Sequence, residues 1–220
     1  MTSLYRRHRP QTFDEVVGQA PIVRTMKNAV ERDKVHHAYL FVGSRGTGKT
    51  SIAKILARSL NCVNGPTLEP CGECESCRTI AAGTSLDVIE MDAASNNSVD
   101  DIRDLREKVG FAPAVGGWKV YILDEAHMLS TSAWNAFLKT LEEPPPNTIF
   151  VLATTEAHKV LPTIVDRCHR FDFRRPSLAE ITTVLKRIAD AELHHPGAVA
   201  IGDVARQQVD EFHPGCWKLA

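Results

Sequence analysis

GSRGTGKT, residues Gly43 to Thr50, fits the pattern G-x-x-x-x-G-K-[S/T], and the rest of the chain is read outward from it. It follows directly on the apolar stretch AYLFV and opens into TSIAKILARSL, whose Ile52, Ile55, Leu56 and Leu60 share one helical face. Strand, glycine-rich loop and helix in that order make a phosphate cradle. The glycines let the backbone wrap an anion, and the helix N-terminus turns its amides and dipole toward it. The expected nucleotide contacts are Gly43, Ser44, Arg45, Gly46, Thr47, Gly48, Lys49, Thr50 and Ser51. Lys49 would reach the β- and γ-phosphates of ATP, and Thr50 would set its hydroxyl on Mg²⁺.

Four more stretches alternate with helical patterns. LDVIEMD (Leu86–Asp92), KVYILDE (Lys119–Glu125) and TIFVLATT (Thr148–Thr155) join AYLFVG (Ala38–Gly43) as short, β-branched, nearly continuous apolar runs, with HRFDF (His169–Phe173) a weaker fifth. Runs apolar on both faces fit a buried parallel sheet. VDDIRDLREKV, opened by Ser98, and SAWNAFLKTLEE, stopped at Pro144, supply amphipathic helices between them. The predicted fold is α/β, a parallel five-stranded sheet flanked by helices. A boundary is expected near Arg174-Arg175-Pro176, followed by a helix capped by Ser177 with Glu180 at the box position.

VYILDEAH ends a strand in Asp124 and Glu125, beside the phosphate loop. Asp124 would enter the magnesium shell, and Glu125 would polarise a water for attack on the γ-phosphate. His127 reads as structural. Thr154 and Thr155 end the neighbouring strand, where a hydroxyl either senses the γ-phosphate or simply finishes a β-rich run. Arg167, in IVDRCHR, reads on spacing alone as a solvated arginine.

CVNGPTLEPCGECESC carries Cys62, Cys71, Cys74 and Cys77, spaced C-x8-C-x2-C-x2-C. Two C-x2-C steps sharing Cys74 bring three thiolates into a tight turn, and Cys62 closes a tetrahedron. A four-thiolate shell leaves no open position, so Zn²⁺ there is structural. Four thiolates suit an iron–sulfur cluster as well.

Composition bounds the remainder. A formal net charge of −1 over 220 residues gives no global basic field, so nucleic-acid contact must come from a local patch or from assembly. No signal peptide and no run long enough to span a bilayer appear, which predicts a cytoplasmic protein with reduced thiols and no membrane partner.

With the phosphate loop, DEAH, LATT and DRC in order, the chain resembles an AAA+ ATPase of the clamp-loader clade. RRHRPQTFDEVVGQ, HHAYLFVGSRGTGKTSIAK, the cysteine cluster, DAASNNSVDDIRDL, NAFLKTLEEPP and LATTEAHKVLPTIVDRC narrow this to the bacterial DNA polymerase III gamma/tau family, over about residues 3–192. Delta-prime subunits share the scaffold without this pairing of intact phosphate loop and four-cysteine insert. The resemblance implies an AAA+ core over 1–175 with a zinc insert at 62–77, and the first lid helix at 176–192. It implies Thr155 as sensor and Arg167 as an arginine finger acting in trans. The family's serine before that arginine is Asp166 here, a residue that could pair with Arg167. The Arg9-Pro10 and Val16-Val17-Gly18-Gln19 stretches, Val17 included, resemble the segment around the adenine.

The implied function is hydrolysis of ATP, coupled to loading a sliding clamp on primed DNA beside other clamp-loader subunits. Membership of the polymerase holoenzyme is implied without polymerase chemistry in this chain. DNA would be gripped by its backbone, near Asn96-Asn97-Ser98 and Arg103, although Asp100, Asp101 and Asp104 also suit a solvated face. Residues 193–220 lose the family pattern and read as a truncated or divergent tail lacking the second sensing arginine. That supports an alternative: a nucleotide-binding structural subunit with weak turnover.

Overall fold

The computed structural model of the chain describes residues 7–193, so the expected tail at 193–220, with Cys216, lies from residue 194 on outside the described residues. Five strands, β1 Ala38–Val42, β2 Val88–Asp92, β3 Lys119–Asp124, β4 Thr148–Thr154 and β5 His169–Asp172, pair in parallel in the order β2–β3–β4–β1–β5. The helices are α1 Ala20–Glu31, α2 Lys49–Asn61, α3 Glu75–Ala82, α4 Val99–Val109, α5 Thr131–Glu142, α6 Pro162–Val165 and α7 Leu178–Leu193. No helix among the described residues is long and apolar enough to cross a membrane.

Side chains alternate across a strand, so each central strand feeds two cores. Tyr39, Phe41, Val120, Ile122, Ile149 and Val151 face one of them, together with Ile52, Ile55 and Leu56 of α2 and Ile22, Met26 and Val30 of α1. Leu40, Tyr121, Leu123, Phe150 and Leu152 face the other, covered by Ile102 and Leu105 of α4 and Trp134, Phe137 and Leu141 of α5. Burial on both sides explains why β1, β3 and β4 read as continuous apolar runs. β2 corrects that expectation. It is an edge strand in which the exposed Glu90 and Asp92, on the face of Val88, alternate with the half-buried Ile89 and Met91.

Local chemistry sets several boundaries. Ser98 Oγ accepts from the Asp101 amide at 3.1 Å and Asp101 returns a bond to the Ser98 amide at 3.0 Å, a capping box that starts α4. Ser130 caps α5, and the turn at Glu143 before Pro144 ends it. The described chain parts into two units between Pro176 and Ser177. In the second, Ser177 and Glu180 form the reciprocal cap at 3.3 and 2.7 Å, and α7 holds no buried residue.

Candidate functional site

The phosphate loop leaves β1 through Gly43, where a Cβ would stand 2.7 Å from Phe173 Cβ, an approach only glycine permits. Gly46 and Gly48 hold φ of 77° and 96°, and a Cβ on either would meet nothing within 4 Å. A side chain at either would be tolerated by space but not by backbone conformation. Gly48 is the N-cap of α2 and supplies no side-chain cap, so the first amides of the helix keep their donors for an outside anion. Gln19, buried, braces the loop by donating Nε2 to the Thr47 and Arg174 carbonyls at 3.3 and 2.8 Å. Lys49 is buried and donates to the Gly43 and Ser44 carbonyls at 2.7 and 2.9 Å. Burial lowers its pKa, while Asp124 and Glu125 pull it back up.

The acids arrive from β3. Thr50 Oγ1 donates to Asp124 Oδ2 at 2.9 Å, which joins the loop's hydroxyl to the strand's carboxylate across 74 residues of sequence. A hydroxyl and a carboxylate held together beside an uncapped helix N-terminus fit a hard divalent cation such as Mg²⁺. Glu125 adopts φ 47°, a left-handed conformation that costs energy for a residue with a Cβ and turns its carboxylate back toward the loop. There it accepts from Arg45 Nε at 2.8 Å and from Thr155 Oγ1 at 3.2 Å. Ser44 and Ser51 stand half-buried on either side of the lysine turn. A cleft of about 1120 Å³, bordered by Arg9, Lys54, Glu90, Asp124 and Glu125, opens alongside.

Thr154 and Thr155 divide the work that sequence left between them. Thr155 touches Glu125, whereas Thr154 is buried and lies 3.0 Å from His127 Nδ1. His127 also stands 3.6 Å from Glu125 and 3.3 Å from Glu156, so the histidine read as structural lies against the acid at the end of β3. Val17 is half-buried next to Gly18, whose φ is 85°. Arg167 does not join this cluster in its own chain. Its guanidinium reaches Glu142 Oε1 at 2.5 Å and the Thr163 carbonyl at 2.6 Å, not Asp166, because α5 brings Glu142 alongside α6. Arg103 is exposed and paired with Asp100 at 2.9 Å, the solvated-face arrangement.

Cys62, Cys71, Cys74 and Cys77 place their sulfurs within 4.8 Å of one another, and none is in a disulfide. A zinc–sulfur bond of about 2.3 Å would set tetrahedral sulfurs roughly 3.8 Å apart, so a small closure completes the shell. Successive amides point at successive sulfurs: Cys71 N to Cys62, Cys74 N to Cys71 and Cys77 N to Cys74, each at 3.4 Å. Cys74 also caps α3, a helix the sequence pattern hid behind the cysteines. Burial opposes ionisation of Cys74, but amides of Val63 and Cys77 and the adjoining thiols outweigh it and bring the thiol down to about 6. Burial pushes Cys77 up to about 12. Crowded thiols resist losing every proton without a cation among them, and a divalent metal is the group that fits. Cys168 is isolated and half-buried, its thiol pushed up to about 12 by desolvation.

Asp87 escaped the sequence reading. It is buried at the opposite end of the sheet and accepts the amides of Ala114, Val115 and Gly116 at 2.6, 2.8 and 2.7 Å, which ties the loop before β3. The signal was faint: an acid just ahead of a strand, facing a Gly-Gly turn.

A family model described as DNA polymerase III, delta subunit, matches residues 18–177. The chain is similar to the DNA polymerase III subunit tau of Bacillus subtilis (strain 168), 57% identical over 190 residues, covering 86% of this chain and 34% of that protein. It is also similar to the DNA polymerase III subunit tau of Escherichia coli (strain K12), 48% identical over 200 residues, covering 90% of this chain and 31% of that one. The chain thus spans about a third of the length of these curated relatives. Among solved structures, the RuvB Holliday junction branch migration motor of Thermotoga maritima superimposes with a TM-score of 0.60 at 20% identity, over 84% of this chain and 54% of that one. At that identity the likeness speaks to fold, and the fold is the AAA+ one.

Proposed function

Because the chain belongs to the DNA polymerase III delta-subunit family, with its N-terminal part of the gamma/tau type, we propose that it is the ATP-binding and ATP-hydrolysing part of a bacterial clamp-loader subunit. The observation that carries this reading is the Thr50–Asp124 bond at 2.9 Å beside Lys49 and Glu125. Phosphate oxygens would replace the loop carbonyls now held by Lys49, at little cost, because the ammonium merely exchanges neutral acceptors for charged ones. Thr50 and Asp124 would hold Mg²⁺, which draws charge from the β- and γ-phosphates when bound. Glu125 would leave Arg45 to take a proton from the attacking water, with Thr155 steering its carboxylate. Arg167 would leave Glu142 to meet ATP on a neighbouring subunit. Loss of the γ-phosphate contacts would then relax the state that grips clamp and primed DNA.

The core, zinc insert and first lid helix would divide as the resemblance implies, and the partners would be other clamp-loader subunits, the sliding clamp and the backbone of primed DNA, in the cytoplasm. A second reading, a subunit that binds nucleotide and turns over little, draws on two ion pairs. Glu125 and Arg167 are both occupied, by Arg45 and Glu142. Steady-state ATP hydrolysis, with and without clamp and primed DNA, separates the readings. Lys49→Ala is expected to lower the rate at least ~100-fold. Equal rates in wild type and variant would remove the hydrolase from consideration and leave the structural subunit.

A further inference from the structure

Arg58 lies in the last turn of α2, one turn before Cys62, and is only 5% exposed. Its Nη1 donates to the Gln11 carbonyl at 3.1 Å and to the Gln11 side-chain oxygen. The guanidinium favours the ionised form of the nearby Cys77 thiol. Its Nη2 sits 3.5 Å from where a Cβ on Gly72 would stand, over the turn between Cys71 and Cys74. Nε is buried with no partner. Among the described residues no carboxylate forms an ion pair with it.

A guanidinium keeps its charge in any folded protein, and burying one without an anion is costly. Gln11 offers only dipoles. The anion available is the thiolate cluster, and four thiolates around a divalent cation keep a surplus negative charge. That surplus sits at the C-terminal end of α2, where the helix dipole is itself negative and disfavours it further. The buried arginine has no carboxylate partner among the described residues, and its Nη2 lies over the turn of the cluster, so each can supply the charge the other lacks.

We propose that Arg58 is the counter-cation of a metal–tetrathiolate centre formed by Cys62, Cys71, Cys74 and Cys77. It is a positioning residue, outside the ligand set, that stabilises the metal-loaded cluster over the empty one. The inference rests on reading the cluster as a metal site, and its test keeps the two apart. The 220-residue chain is loaded with zinc and titrated against a chromophoric chelator. Cobalt substitution reads the ligand set through its thiolate charge-transfer bands. Arg58→Met is expected to lose about 10–100-fold in zinc affinity with the cobalt bands retained, since outer-shell partners of metal ligands contribute at that level. Arg58→Lys, keeping the charge, recovers part of the loss. Gln11→Ala, which removes the neutral partner alone, stays close to wild type. Unchanged affinity in Arg58→Met overturns the role, as does a Lys variant no better than Met. So does a Gln11→Ala loss as large as that of Arg58→Met, which would make the effect packing and not charge. Should Arg58→Met fail to fold, Arg58→Gln takes its place as the neutral variant, with the same expected and overturning outcomes. A wild-type chain that takes up neither zinc nor cobalt removes the metal site itself, and the proposal with it.

Discussion

At its N-terminal end α2 starts from Gly48 with no side-chain cap and open space over two left-handed glycines. At its C-terminal end it stops at Cys62, whose sulfur already accepts the Cys71 amide at 3.4 Å, within a cluster of four thiols that lie within 4.8 Å of one another. Both ends gather groups that want a counter-charge. On the proposed reading, one keeps its donors exposed for an anion that arrives and leaves, and the other would enclose its acceptors around a cation that stays. The physical difference is what the backbone leaves unsatisfied. Free amides and a positive dipole suit a transient phosphate, whereas amides spent on sulfur suit a permanent structural centre.

The contrast breaks most visibly at Glu125. Glu125→Gln keeps the shape and removes the base, so ATP hydrolysis should fall by about 10²–10⁴-fold while ATP binding persists, read by single-turnover kinetics and a fluorescent nucleotide. A variant that hydrolyses normally would show that the strained acid at φ 47° is architecture alone. At the other end of α2, Cys74→Ser is expected to lose the metal and lower the thermal midpoint, as removal of a closed structural centre does, yet still bind ATP. Metal analysis, thermal melting and nucleotide titration read the three effects. A folded Cys74→Ser chain that no longer binds ATP would mean the two ends form one device.

The smallest effect falls far from both, at Asp87. Its burial works against ionisation, but the amides of Gly116, Ala114 and Val115 and the nearby Lys119 outweigh it and keep the carboxyl below the ordinary carboxylate range. A folded-state pKa below the unfolded value of about 4 stabilises the protein above that pH, and the gain fades as pH falls through the folded value. Asp87→Asn should therefore cost about 2–3 kcal/mol at neutral pH, a gap that narrows in acid. Denaturant unfolding at both pH values checks it. A cost that does not change with pH would point to lost packing.

Much of this was legible in advance where the physics is local. Five apolar runs became five parallel strands, and Ser98 and Ser177 cap the helices their spacing promised. α1 went unread, although Pro21 and the Ile22, Met26, Val30 spacing carried its signature, and α3 was masked by cysteines whose metal pattern claimed the same residues. His127 shows the limit differently: nothing in DEAH says its ring will lie between Thr154 and Glu156.

The sequence by itself determined the phosphate loop, the acids at the end of β3 and the four-thiol spacing, because each is written in residues close enough along the chain to act as a unit. Tertiary structure alone decided which partners these groups take. Thr50 finds Asp124 and Arg45 finds Glu125 because β1 and β3 flank β4 in one parallel sheet and carry the loop and the acids to the same edge. Arg167 finds Glu142 because α5 and α6 pack together. Strand order and helix packing bring distant residues within bonding distance, and no local spacing in the chain encodes that choice.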